Sequence, residues 1–292
     1  MVIRRERGKM PADPQSMTTR PSAVAGLFYD DDPDRLRTQV LNLLTDVTAS
    51  TKVMPKALIA PHAGYVYSGR VAAAAFATLW ASAQTITRVV LIGPAHYVHV
   101  RGIAVPTVGA FETPLGRVAV DLEALRTVAD LQFVIRADAP HAPEHALEVE
   151  LPFLQTLLAS FQVVPLVVGD ATPQDVAHVL RLLWGGPETL IVVSSDLSHY
   201  HDYETAQRLD AATAAAIEQG DWASLGRTKP VAVSPWLACW WKPGAAASRP
   251  ARFHCATPET LRARATGSWG TEPGCSRRRH REVSAFSNGA AL

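Results

Sequence analysis

Short apolar runs alternate along this chain with segments of helical periodicity, from about residue 56 to residue 219. The apolar runs are rich in Val, Ile and Leu and lack the alternation of half-exposed strands, which is typical of strands buried on both faces of a parallel sheet. We predict strands at Lys56–Ala60, Arg88–Ile92, Ile103–Val105, Arg117–Val120, Val163–Val168 and Leu190–Ser194. Strands alternating with helices predict an α/β fold with a mainly parallel sheet covered on both faces.

The helical segments begin at recognisable start signals. Acidic residues around Pro33 precede apolar positions at helical spacing, and Thr172 followed by proline is a typical N-cap. Further helices are predicted at Glu144–Leu158, where Pro152 indicates a kink or an early end, and at Tyr203–Gln219. The segment Phe111–Gly116 predicts a turn-rich connection between two strands.

Three of the predicted strands end in loops that carry a histidine. His62 follows the first strand, His96 follows the second, and Asp196 and His199 follow the last. Because open α/β sheets bind ligands at the carboxyl ends of their strands, these loops predict one site. Imidazole is the commonest metal ligand near neutral pH, and two histidines with one anion suit non-haem iron. We therefore predict a metal site, the alternative being two unrelated loop histidines.

The third ligand has two candidates, and neighbouring polar residues have two interpretations each. Cys239 offers a thiolate or is a small buried hydrophobe, whereas Asp196 offers a carboxylate or a hydrogen bond to a ligand histidine. His199 is a general acid or base, or caps the next helix. The segment Pro143–Glu148, which contains His145, is part of the site or an exposed helix start rich in carboxylates.

Composition narrows the class of protein. The 292 residues carry a formal net charge of +1, which gives no indication of a nucleic-acid or membrane partner, and no apolar run approaches the roughly 20 residues that span a bilayer. Three cysteines argue against a disulfide framework, so we predict a cytoplasmic, reducing location. A serine hydrolase is a rival class, but the chain lacks a Gly-x-Ser-x-Gly elbow, and it has no glycine-rich nucleotide-binding motif.

The two ends differ from the middle of the chain. Residues 1–20 are basic and polar, and we interpret them as a disordered leader or an over-long gene start. From residue 240 to residue 292 there are eight Arg and one Lys against three Glu, no isoleucine and a single valine. Such a segment cannot supply a buried parallel strand, so an aberrant C-terminal tail is predicted after a main domain at 21–239.

Four motifs together resemble the Memo family, the mediator-of-cell-motility family, whose prokaryotic members are called AmmeMemoRadiSam system protein B. The motifs are Ala60-Pro61-His62-Ala63-Gly64-Tyr65, Gly93-Pro94-Ala95-His96, Glu144-His145-Ala146-Leu147-Glu148 and Val193-Ser194-Ser195-Asp196-Leu197-Ser198-His199. The resemblance covers about residues 21 to 239. It implies a three-layer α/β/α fold related to the class III extradiol dioxygenases, and an AMMECR-type protein and a radical SAM enzyme as functional partners.

The resemblance also implies a metal pocket that holds iron or copper. His62, His96 and Cys239 match the positions of the family's ligands, and Asp196, His199 and His145 are the candidates for catalytic roles. This implies dioxygenase-like or metal-dependent redox activity on an unknown small molecule or peptide. The alternative function is a non-catalytic protein that retains the pocket and binds a peptide or protein.

This chain departs from the family pattern directly after Cys239. The family continues with glycine, a helix and closing strands, whereas Trp240-Trp241-Lys242-Pro243 and the arginine-rich tail follow here. The abrupt change of charge and apolar content motivates the hypothesis that a reading-frame shift near Cys239 has replaced the last strands.

Overall fold

The computed structural model describes residues 18–47 and 54–221, and a mixed, mostly parallel sheet of nine strands runs through this part of the chain. The strands are β1 (Thr19–Arg20), β2 (Ala57–Ala60), β3 (Arg88–Pro94), β4 (Ile103–Val105), β5 (Ala110–Thr113), β6 (Gly116–Val120), β7 (Val134–Arg136), β8 (Gln162–Val168) and β9 (Thr189–Ser194). Their order is β1-β5-β6-β8-β3-β9-β2, with β4 pairing β8 and β7. The sheet therefore begins at Thr19, two residues before the predicted domain start.

The helices pack in two groups. They are α1 (Pro33–Thr45), α2 (Tyr65–Phe76), which a 3-10 helix (Ala77–Ser82) continues, α3 (Leu122–Val128), α4 (His145–Glu148), α5 (Leu151–Leu157), α6 (Pro173–Leu182) and α7 (Tyr203–Gln219). Helices α1, α2 and α5 contact one another, and α3 contacts α6. The fold is three-layered α/β/α, as predicted. Within the described residues, no helix has the length and apolarity needed to cross a bilayer.

The central strands are continuous apolar runs because both faces of the sheet are buried there. Strand β3 lies between β8 and β9 and pairs with both in parallel, with Val90 opposite Val164 on one side and Ile191 on the other. Almost every residue of these three strands is buried. Helices cover both faces of such a sheet, so neither face of the central strands requires polar residues.

The predicted starts of two helices and one predicted break are confirmed. Asp32 caps α1 through its side chain, and Thr172 and Asp175 form a capping box at the start of α6. The predicted break near Pro152 is confirmed, because the segment divides into α4 and α5, with the proline in the first turn of α5. A proline is tolerated there because the first N–H groups of a helix have no partner within the helix.

The predicted connection at Phe111–Gly116 is instead a β-hairpin. Residues Ala110–Thr113 form β5, which pairs antiparallel with β6 and places Thr113 opposite Gly116. Only two residues remain for the turn. The alternation of half-buried and buried residues along β5 is a strand pattern, although the segment is short and rich in turn-forming residues.

The sheet order places the polar loops at one edge. Strands β2, β9 and β3 lie side by side and run parallel. Their carboxyl ends therefore open on the same side of the sheet, and so do the loops that follow them.

Candidate metal centre

Three imidazole rings converge at this edge of the sheet. His62 follows β2, His96 follows β3, and His145 is the first residue of α4. The ring centroids are 5.1 Å apart for His62 and His96, 5.5 Å for His62 and His145, and 4.6 Å for His96 and His145. One ring nitrogen from each residue lies within 4.8 Å of the others. Three imidazoles in this arrangement are a suitable ligand set for a transition-metal ion.

A buried carboxylate orients His96. Glu144 accepts hydrogen bonds from the backbone N–H of His96 at 2.7 Å and from that of Ala146 at 2.9 Å, and its Oε1 lies 2.8 Å from His96 Nδ1. Burial acts to raise the pKa of Glu144, but the hydrogen bonds from His96 and Ala146 outweigh it and lower the pKa. Glu144 is therefore ionised near neutral pH and accepts the Nδ1–H of His96, which in the neutral ring leaves Nε2 as the nitrogen with a lone pair for a ligand.

His145 has an unsatisfied nitrogen in the same cluster. Its Nδ1 is buried without a hydrogen-bond partner and lies 3.5 Å from Glu144 Oε1. The ring stacks on His96 at an interplanar angle of 20°, and Phe28 covers it with a centroid distance of 4.9 Å. A buried nitrogen with no partner carries an energetic cost, which a bound metal ion would relieve if this nitrogen were the ligand atom. The residues present therefore fit a metal ion.

The electrostatics keep two of the imidazoles neutral. Burial lowers the pKa of His62 to about 4, which Asp196 opposes and the other two histidines reinforce. Burial also lowers the pKa of His145, with Glu144 opposing and His96 reinforcing the shift. A metal ligand must present a lone pair, and neutral imidazole does so without first losing a proton.

Asp196 and His199 lie at the margin of the cluster. Asp196 Oδ1 accepts the backbone N–H of His62 at 2.8 Å. Its Oδ2 lies 3.9 Å from His62 Nε2 and 3.6 Å from His199 Nε2. Asp196 therefore binds the His62 backbone, and its role as an acceptor for a ligand imidazole stays a prediction. Asp202, rather than His199, caps α7, so the interpretation of His199 as a helix cap is wrong.

Glu148 fixes the N-terminal segment beside the site. This fully buried carboxylate forms an ion pair with Arg20 and accepts hydrogen bonds from the Tyr29 hydroxyl and from two backbone N–H groups of the segment between those residues. The same segment carries Phe28, which lies against His145. One carboxylate on α4 therefore holds the residue that covers the histidine at the start of that helix.

The structure brings together some of the predicted site residues and not others. His62 and His96 come together as predicted. His145, predicted as a catalytic residue, is grouped with them as a third potential ligand, whereas Cys239 lies outside the described residues. Glu144 is 2% exposed, so the interpretation of its segment as an exposed helix start is wrong. The signal that pointed to His145 was its place in a polar cluster directly before apolar helix positions.

The fold and the histidine cluster define an α/β protein with a candidate metal centre at the carboxyl edge of a parallel sheet. The family model described as Memo-like protein matches residues 20–228 of this chain. The chain therefore belongs to the Memo family.

Curated relatives agree with this assignment. A MEMO1 family protein of Aquifex aeolicus is 35% identical over 207 residues, which covers 70% of this chain and 76% of the relative. A MEMO1 family protein of Thermotoga maritima is 37% identical over 217 residues, covering 69% and 78%, respectively. One from Sulfolobus acidocaldarius is 35% identical over 226 residues, covering 70% and 78%.

Proposed function

We propose that this Memo-family chain binds iron or copper at the histidine cluster and uses it for metal-dependent redox, dioxygenase-like chemistry. The observation that supports the proposal is the convergence of His62, His96 and His145, each with a ring nitrogen within 4.8 Å of the others. Imidazole suits both metals. Cys239 stays a predicted ligand beside them, because its position in the sequence matches the family's third ligand.

The surrounding residues would have separate tasks in this proposal. A bound iron or copper ion would supply a redox-active Lewis acid with positions open to substrate. Glu144 holds the His96 ring in one orientation. Asp196 and His199, whose Oδ2 and Nε2 atoms are 3.6 Å apart on the more open side of the cluster, would hold or transfer a proton at the site.

Metal content of the purified full chain tests the proposal. We expect about one iron or copper per wild-type chain, and loss of most of it in His62→Ala, His96→Ala and His145→Ala. Comparing Cys239→Ala with His145→Ala shows which of the two residues is a ligand. Removing a ligand lowers the metal content, whereas removing a residue that does not bind the metal leaves it unchanged. His178→Ala, on helix α6, is the matched control. A wild-type chain that binds neither metal tightly would contradict the proposal.

Oxygen uptake by the metal-loaded chain separates the enzyme from its alternatives. Reductant-dependent uptake that disappears in His62→Ala supports redox chemistry. Stoichiometric metal without uptake, or partner binding that survives His62→Ala, supports the binding protein. Ester hydrolysis insensitive to chelators would support a hydrolase. The association with an AMMECR-type protein and a radical SAM enzyme stays a prediction, for which co-purification is the measurement.

A further inference from the structure

Ser194 lies between two polar groups beneath the metal cluster. It is the last residue of β9, fully buried, and pairs with Ala60 at the end of β2. Its Oγ is 2.8 Å from His62 Nδ1 and 2.6 Å from the carbonyl oxygen of Ala146. The hydroxyl thus connects the loop after β2, which carries His62, to the helix that begins with His145.

Counting protons assigns a direction to both contacts. A carbonyl oxygen has no proton to give, so the 2.6 Å contact with Ala146 uses the single hydroxyl proton of Ser194. Ser194 Oγ then has only lone pairs to offer His62. The 2.8 Å contact is a hydrogen bond only if His62 Nδ1 carries the proton. In the neutral ring His62 Nε2 is consequently unprotonated.

The contact between a serine and a histidine also suggests a nucleophile and its base, and the packing argues against that role. Ser194 is 0% exposed, and its proton points to the Ala146 carbonyl and not to the imidazole. A side chain added at Gly93 would meet Ser194 Cβ at 3.4 Å, so the strand beside it is closely packed. A substrate carbonyl has no approach to this hydroxyl.

We propose that Ser194 is a positioning residue that holds the His62 proton on Nδ1 and so presents Nε2 to the metal. The metal part of this inference rests on the proposed function, whereas the proton assignment does not. Glu144 serves His96 in the same way through a carboxylate. Two of the three imidazoles would therefore have their free nitrogen set by a partner on a different element.

Nitrogen NMR of the metal-free full chain tests the proton assignment. Long-range proton–nitrogen spectra show which ring nitrogen is protonated, and the signals lost in His62→Gln identify His62. We expect the proton on Nδ1 in the wild type and a mixture of both tautomers in Ser194→Ala. Ser195→Ala is the matched control, because Ser195 Oγ donates to the Asp196 carbonyl and not to His62. A wild-type His62 protonated on Nε2 overturns the proposal without any variant.

Titration with Fe²⁺ under anaerobic conditions, and separately with Cu²⁺, tests the consequence. Removing the partner of a metal-ligating histidine weakens metal binding by about 10–100-fold, so we expect that loss in Ser194→Ala and a change within about twofold in Ser195→Ala. Unchanged tautomers or a metal affinity within about twofold of wild type in Ser194→Ala overturns the proposal. If no chain binds either metal, the proposed function fails, and the NMR result alone decides the role of Ser194.

Discussion

At the scale of single residues, the candidate centre depends on burial that the sequence does not display. His62 and His96 were predictable because each directly follows an apolar strand, and parallel strands end at one edge. Glu144 and Glu148 were not, because a carboxylate beside a helix start is usually exposed. Here both are buried because each is satisfied by several donors, including His96 for Glu144 and Arg20 for Glu148.

We expect Glu144→Gln to weaken metal binding by about 10–100-fold, because the amide replaces an acceptor-only group that faces three N–H donors. The amide has a single acceptor oxygen, so its NH₂ group faces an N–H of His96, either the backbone N–H or the ring Nδ1–H, and the ring is held less firmly. Metal titration of the purified variant measures the effect. Glu123→Gln in α3, whose side chain is 86% exposed, controls for the loss of charge. Equal affinity in both variants would show that Glu144 does not orient a ligand.

Glu150 provides a prediction about pH. It is 0% exposed, and burial raises its pKa well above the ordinary value, although the Ser194 hydroxyl acts to lower it. The folded chain keeps this proton, while the unfolded chain loses it as the pH rises above about 4.5. The group's stabilising contribution is therefore present below that pH and is lost as the pH rises.

Glu150→Gln removes this dependence, because an amide does not ionise. We expect the free energy of unfolding of the variant, relative to wild type, to rise by up to about 1.4 kcal/mol per pH unit above pH 4.5. Urea unfolding of both chains between pH 4.5 and 7.5 measures it, and the slope is independent of any constant packing cost of the substitution. A difference that does not change with pH would show that Glu150 is ionised in the folded chain.

At the scale of elements, the predictions succeeded where the pattern was long or its boundary had a chemical cause. The buried strands of the central sheet and the helix Tyr203–Gln219 were predicted within one or two residues. Helix α3 and strand β7 were missed because seven and three residues, respectively, hold too little periodicity to read. The position of His145 against β3 was unpredictable for a different reason, since it depends on the path of the chain between β7 and α4.

The contact between β3 and α4 yields a prediction at Gly93. A Cβ at this position would lie 2.9 Å from Leu147 Cδ2 and 3.3 Å from the Cβ of Ala146. We expect Gly93→Ala to lower the free energy of unfolding by about 1–3 kcal/mol, since overpacking displaces α4. The variant should also bind metal less tightly, because α4 begins with His145. Urea unfolding and metal titration are the measurements.

A double-mutant cycle with Leu147→Ala tests the cause of that loss. Leu147→Ala alone leaves a cavity, and we expect it to cost about 2–5 kcal/mol. In the double variant the new methyl group at position 93 enters the space that the Leu147 side chain vacated. The free energy of unfolding lost by the double variant should therefore be smaller than the sum of the losses in the two single variants. Additive costs would show that the glycine is not required by close approach of α4.

At the scale of the whole molecule, the match to the family ends before it reaches the predicted third ligand, Cys239. The family model stops at residue 228, eleven residues short of Cys239, and the relatives named above are matched over 76–78% of their own length. The unmatched final part of this chain contains the tail with eight Arg and one valine after residue 240. The change of composition therefore lies within the part of the chain that the family model does not match.

The hypothesis of a reading-frame shift near Cys239 would account for the changed composition of the tail and for the absence of the family's closing sequence, because every codon after the shift is read in the wrong frame. We expect one of the other two frames, translated from about codon 235 onwards, to give a valine-bearing, glycine-rich ending that aligns with the last part of the Aquifex and Thermotoga relatives. The restored chain should then bind metal more tightly than the present one, since closing strands would fix the position of the cysteine. Metal titration of both chains measures this. If neither frame restores such an ending, the tail belongs to this protein, and the histidine cluster has to hold its metal without the family's closing strands.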